Sequence, residues 1–101
     1  MIIYNVTTKI SWHIQDEWRA WLINDQLPKV MSTGLFERYQ LVRLLEVDDE
    51  DGPTYALQLY SASLKNVDAY RDKHLDEIEQ QERNMWGNDI ISFRSLMQVI
   101  N

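Results

Sequence analysis

Cysteine is absent from this 101-residue chain, and glycine (three), proline (two) and histidine (two) are scarce. Without thiols there is no disulfide, no thiolate-held zinc or iron–sulfur cluster and no cysteine nucleophile. The absence fits a cytoplasmic setting. Basic residues are also short: ten lysines and arginines stand against sixteen acidic residues, a formal charge of −6. Nucleic acid and anionic lipid surfaces are read by clustered cations, so neither is expected as a partner. No apolar run approaches the ~18 residues of a membrane-spanning helix. The opening Met1-Ile2-Ile3-Tyr4-Asn5 carries neither the basic start nor the long apolar stretch of a secretory leader. With so little glycine and proline there is no linker, low-complexity tract or internal boundary. One domain over residues 1–101 is expected.

What the chain does have is a clear order of hydrophobic periods. A strand-like run covers Ile2 to Ile10 and a helical stretch Trp12 to Met31. Strand-like runs follow at Phe36 to Val47 and Thr54 to Ser61, then a helical stretch from Leu64 to Trp86 and a last strand from Asp89 to Ile100. That is β-α-β-β-α-β, the split βαβ order, which predicts one antiparallel sheet with both helices on one face. Ile14, Trp18, Trp21 and Leu22 form the buried stripe of the first helix, and Asp25 extends it. Ser11 and Ser63 stand where N-caps belong, and Gly34 and Gly87 where helices stop. Pro28 predicts a kink or restart. The second helix shows an apolar arc of Leu64, Val67, Tyr70, Ile78 and Met85, with Arg71 and His74 inside it.

Alternation divides each strand into two sets. On the first, Ile2, Tyr4, Val6, Thr8 and Ile10 oppose Ile3, Asn5, Thr7 and Lys9. On the last, Ile91, Phe93, Met97 and Val99 oppose Ile90, Ser92, Arg94 and Leu96. Neither set is cleanly polar on any strand. A sheet with one face in water alternates more strictly, so the face away from the helices is expected to be covered by a second copy, giving a homodimer through sheet faces.

The β-α-β-β-α-β order, Trp18 and Trp21, the Pro28–Gly34–Phe36 stretch and Tyr70 with His74 resemble the dimeric α+β barrel superfamily, with its ferredoxin-like fold. Within it, the opening Met1-Ile2-Ile3-Tyr4-Asn5-Val6-Thr7 and the Phe93-Arg94 close are similar to a small bacterial family known only as a domain of unknown function. The resemblance spans essentially the whole chain. It implies a barrel built from two sheets and implies no activity. Haem-degrading relatives place an Asn on the first strand, a Trp on the second helix and an iron-binding His about three turns later. Asn5 matches the first position and Tyr70 stands near the second. The His position falls near Gln80, so no haem and no other cofactor is expected.

Four groups of residues invite a chemical reading. Asn5, Trp18, Trp21, Tyr70 and His74 are candidates to line a ligand pocket between helices and sheet, with Asp25 beside them. The competing reading is that these are satisfied core residues. Asp25 and His74 form a candidate carboxylate–imidazole pair, a route to a general base near neutral pH. His74, Asn5, Tyr70 and Asp25 are therefore the catalytic candidates. The acidic run Glu46, Asp48, Asp49, Glu50, Asp51 lacks calcium-loop spacing, since Val47 occupies the first ligand position, so no metal site is expected. Trp12 lies off the main stripe and Trp86 near a helix end, and each is a candidate interface anchor. The leading functional reading is a small homodimeric barrel that binds a small apolar or aromatic ligand. A cofactor-independent enzyme of monooxygenase or isomerase type, with His74 as base, is the alternative. A purely structural dimerisation unit with a filled core is the third. His74 is expected to be partly buried and hydrogen-bonded, and His13 exposed.

Overall fold

The computed structural model describes all 101 residues. Strand β1 spans Ile2–Ile10, β2 Arg38–Arg43, β3 Thr54–Ser61 and β4 Ile90–Gln98. They form one antiparallel sheet in the order β2-β3-β1-β4. The two longest strands pair in the centre and at one edge, and the shortest lies at the other edge. Helices α1 (Gln15–Trp21), α2 (Leu27–Ser32), α3 (Leu64–Lys73) and α4 (Leu75–Trp86) cover one face.

The second strand is shorter than its hydrophobic run predicts. Phe36 turns in to pack on Tyr70, and Glu46 takes a left-handed φ of 58°, so the run is closed at both ends. Both long helical stretches are interrupted. Between α1 and α2 lies a π turn, Leu22–Gln26, where the Leu27 N–H reaches back to Leu22 O. Pro28 cannot donate a backbone bond, and its ring crowds the carbonyl four residues earlier; the wider turn before it relieves that conflict. Between α3 and α4, His74 leaves helical geometry (φ −125°, ψ −27°). Each half then buries its own anchor, Tyr70 on α3 and Ile78 on α4. Leu64 and Met85, expected in the buried arc, are exposed instead.

Local signals explain most of the ends. Ser63 caps α3, its Oγ accepting from Asn66 N at 3.2 Å. Gly34 ends the first helical stretch at φ 74°. Ser11 makes no cap bond. Its Oγ donates across to Asp89 Oδ1 at 3.1 Å and so ties the end of β1 to the start of β4. The β2–β3 loop folds back on that same end, where Ile10 N donates to Pro53 O at 3.0 Å. A Cβ on Gly52 would fall 1.6 Å from Ile10 O, so only glycine permits this approach.

The register assigns the sheet faces. Tyr4 lies beside Leu59 and Leu96, and Val6 beside Leu57 and Arg94; this set faces the helices. Ile3, Asn5 and Thr7 lie beside Tyr60, Gln58 and Ala56 on β3 and beside Met97, Ser95 and Phe93 on β4. No helix covers this second set, and Ile91 and Phe93 are 55% and 65% exposed.

Candidate functional site

A narrow cavity of about 30 Å³ lies between the helices and the sheet. Trp18 and Leu22 from the first helical stretch, Leu59 from β3, and Tyr70 and Ile78 from the second helical stretch form its apolar wall. A space of this size holds about one or two waters. One end of it is polar, and that end is built by three elements. The π turn delivers Gln26, α4 delivers Glu82, and β4 delivers Arg94. Tyr4 of β1 lies with them.

The polar end is under-satisfied. Gln26 Nε2 donates to Glu82 Oε1 at 2.9 Å, but Gln26 Oε1 has no partner. Arg94 Nε and the Tyr4 hydroxyl are buried beside it, with the Arg94 guanidinium close enough to the Tyr4 hydroxyl to hydrogen-bond it, though without ideal alignment. Gln26 and Tyr4 are only 5% and 3% exposed, so bulk water does not serve them. A buried polar atom without a partner costs ~1–3 kcal/mol, which a bound molecule recovers. Burial raises the Glu82 carboxyl above its ordinary range, and the Gln26 bond and the Arg94 charge pull it partly back. Burial likewise raises both phenols, Tyr4 and Tyr70, and keeps them protonated donors. The arrangement therefore offers a hydrogen-bonding head and an apolar chamber behind it.

Arg94 stands at the mouth. Outside it is a groove of about 160 Å³ that shares Glu82, Ile90 and Arg94 with the cavity and adds Glu79 and Arg83. Arg94 Nη2 is 3.9 Å from Glu79 Oε1, and Arg83 Nη1 is 3.7 Å from Glu79 Oε2. Both distances exceed a hydrogen bond.

The structure brings together only two of the candidates read from sequence. Trp18 and Tyr70 line the cavity. Asn5 is on the opposite face of the sheet, as the odd-numbered position of β1 requires, and its Nδ2 donates to Thr7 Oγ1 at 2.9 Å. Trp21 packs edge-on against Trp86 and borders an outer groove with Asp25. Asp25 is half-exposed and its carboxylate lies 3.6 Å from Lys29 Nζ, so the Asp25–His74 pair does not form. His74 is partly buried, as expected, and stacks on Tyr70 with centroids 6.2 Å apart, but it makes no side-chain hydrogen bond. It borders an adjoining groove with Lys29, Thr33 and Glu77, which shares Val30, Tyr70 and Ile78 with the cavity. His13 is exposed and lies 3.5 Å from Asp89. Gln80, at the position of the haem-binding His, is exposed and donates to Asn84. The acidic loop is held by Asp49, whose backbone O accepts from Trp12 Nε1 at 2.9 Å.

Gln26, Glu82 and Arg94 were not among the candidates. A signal for each was present. Glu82 follows Leu75 and Ile78 on one helical stripe, Arg94 alternates with Ile90, Ser92 and Leu96, and Gln26 precedes the helix-interior Pro28.

The strand order and the layer of helices define a ferredoxin-like α+β domain, the class to which dimeric α+β barrels belong. Residues 1–100 match the family described as Domain of unknown function (DUF4286), and the chain belongs to that family. Among solved structures it is similar to an ethyl tert-butyl ether D (EthD) family protein from Bacillus halodurans, with TM-score 0.71 and 9% identity over 99% of this chain and 100% of that one. At that identity the likeness concerns the fold. A PII-like signalling protein from Thermus thermophilus overlaps 99% of this chain and 91% of its own at 11% identity, with a TM-score of only 0.37. No curated protein matches the chain in sequence.

Proposed function

We propose that this protein is a small homodimeric barrel that binds a small apolar molecule in the helix–sheet cavity. The observation that carries the reading is the cavity's polar end, where Gln26 Oε1 is buried without a partner beside Glu82, the Tyr4 hydroxyl and the Arg94 guanidinium. The chamber behind them is lined by Trp18, Leu22, Leu59 and Ile78, so the ligand's body is apolar.

The test is a ¹⁵N NMR titration with the smallest alcohols, methanol and ethanol, whose size matches the cavity. Saturable shifts confined to cavity residues support the reading, and Leu22→Trp, which fills the chamber, should abolish them. Shifts that scatter over the surface or never saturate would sink it. The homodimer accounts for the exposed Ile91, Phe93 and Met97 on the uncovered sheet face. A stable interface there would bury on the order of 2,000 Å² in total. Light scattering that finds a monomer at micromolar concentration removes that half of the reading.

The enzyme alternative now has a different base. Glu82 is the cavity's carboxyl, it is held in place by Gln26, and burial raises it toward the range of useful proton transfer. His74 has no comparable position.

A further inference from the structure

We infer that two copies of this chain join through β4, which pairs edge to edge and antiparallel with the partner's β4, the two-fold axis passing at Ser95. This rests on the homodimer reading, and it names the strand and the register that make the dimer.

A sheet edge leaves every second residue with an unmet N–H and C=O, and soluble chains blunt such edges with short strands, charges, proline or bulges. The edge strand β2 follows that rule, with six residues and an arginine at each end. The other edge does not. β4 runs nine residues without proline or lysine, and its register with β1 is unbroken from Ile2–Gln98 to Ile10–Ile90. The bonds that bracket it, Ser11 N to Asp89 O and Val99 N to Met1 O, are both 2.9 Å and both use odd-numbered residues of the β4 side. Backbone groups alternate in direction along an antiparallel ladder, so Ser92, Arg94, Leu96 and Gln98 present their N–H and C=O at the open edge. The side chains beside that edge are apolar on both faces. Phe93 and Met97 are exposed on the uncovered face, and Leu96 is exposed on the other.

A two-fold axis through this edge sets one residue of β4 beside its own copy. Centring on Arg94 puts two guanidiniums side by side, and like charges directly opposite destabilise a strand pair. Centring on Phe93 spends Ile91 against the partner's Ser95. Centring on Ser95 sets Phe93 against the partner's Met97 and Ile91 against the partner's Val99. These are non-hydrogen-bonded positions, where side chains approach most closely, and a thioether beside an aromatic ring is a favourable contact. The outward groups then pair Arg94 with the partner's Leu96 and Ser92 with the partner's Gln98, and no charge opposes a like charge. The same register carries the polar row Gln40–Gln58–Asn5–Ser95 without a break into the partner's copy of that row. Two four-stranded sheets become one, with both uncovered faces on the same side. Strand twist curls a sheet of about eight strands toward closure, which turns those two faces on each other.

The chain has no cysteine, so Ser95→Cys introduces a single thiol. Across the two-fold its Cα stands ~4.5 Å from its copy, within disulfide reach. Mild oxidation at micromolar concentration should convert most of Ser95→Cys to a linked dimer. Phe93→Cys should stay unlinked, because its copy lies four residues further along the strand, roughly 13 Å away. On the unaltered chain, amide exchange by NMR should find Ser92, Arg94, Leu96 and Gln98 slowed at least about a hundredfold relative to an open edge. Fast exchange at those amides, or a Ser95→Cys chain that fails to link, in a sample that light scattering finds dimeric overturns the edge pairing and leaves the homodimer standing. A monomer at micromolar concentration sinks both. The exchange measurement needs no substitution, so it decides the matter even if Ser95→Cys does not fold.

Discussion

The two faces of the sheet use the same strands for different ends. Toward the helices, the rows Tyr39–Leu59–Tyr4–Leu96 and Leu41–Leu57–Val6–Arg94 run across the sheet, and polar atoms gather at one point, where Arg94 meets Gln26 and Glu82. On the uncovered face the central row is polar throughout: Gln40, Gln58, Asn5 and Ser95. It is flanked by Arg38–Tyr60–Ile3–Met97 and Val42–Ala56–Thr7–Phe93, with the Arg38 guanidinium 3.6 Å from the Tyr60 ring centroid. One face concentrates unmet polar groups inside a packed layer, as a ligand site does. The other spreads satisfiable polar groups between apolar margins, as a surface does that must meet another surface in a single register. In the proposed two-fold pair the polar row finds its own kind, and a shift of one row, two residues along the strand, sets it against Phe93 or Met97.

Substitution on the packed face tests this contrast most severely. Leu59 is fully buried against the cavity wall, and Leu59→Ala should cost about 2–5 kcal/mol in urea unfolding. A loss below about 1 kcal/mol would mean that the chamber collapses freely and is not a built cavity. On the open face, Phe93→Glu should leave the helical and strand signals intact and convert dimer to monomer in light scattering at micromolar concentration. An unchanged dimer would place the interface elsewhere.

Glu82 sharpens the comparison through pH. Burial raises its folded carboxyl above the unfolded value of 4.5, so the folded chain holds this proton longer than the unfolded chain does. Below that value Glu82 is neutral in both states and no penalty applies. Stability falls as pH rises through the folded value, and above it the penalty is complete. Glu82→Gln keeps the shape without the charge. It should therefore gain stability relative to the parent chain as pH rises above the unfolded value of 4.5, the gain growing until the raised folded value is passed. Chemical unfolding at several pH values checks this, and a constant difference would mean that Glu82 ionises freely.

The sequence order of periods predicts all four strands and the helical layer, because alternation and helical spacing are local properties of adjacent residues. The caps at Ser63, Gly34 and Gly87 are equally local. The site is less legible because it is assembled across elements. Gln26, Glu82 and Arg94 are remote in sequence and meet only through the strand order and the π turn. Asn5 shows the converse. Alternation already separates it from Tyr4, and its place on the far face follows once Tyr4 is assigned to the helices. His74 misleads because it lies within an apolar arc on a continuous helical wheel. The chain breaks its helix at that residue, and the wheel no longer applies.

The smallest expected effect is therefore at His74. The imidazole leans on Tyr70, borders the groove behind the cavity wall rather than the cavity itself, and has no hydrogen bond to lose. Its backbone supports the bend: its N–H donates to Tyr70 O at 2.9 Å and its carbonyl accepts from Ile78 N at 3.1 Å, and glutamine preserves both. His74→Gln should change stability by no more than about 0.5 kcal/mol and leave ligand binding at the Arg94 end untouched. Arg94→Gln, measured beside it, should change binding with the fold intact. A large loss of binding in His74→Gln and none in Arg94→Gln would reverse the assignment and move the site from the cavity to the groove beside Lys29, Thr33 and Glu77.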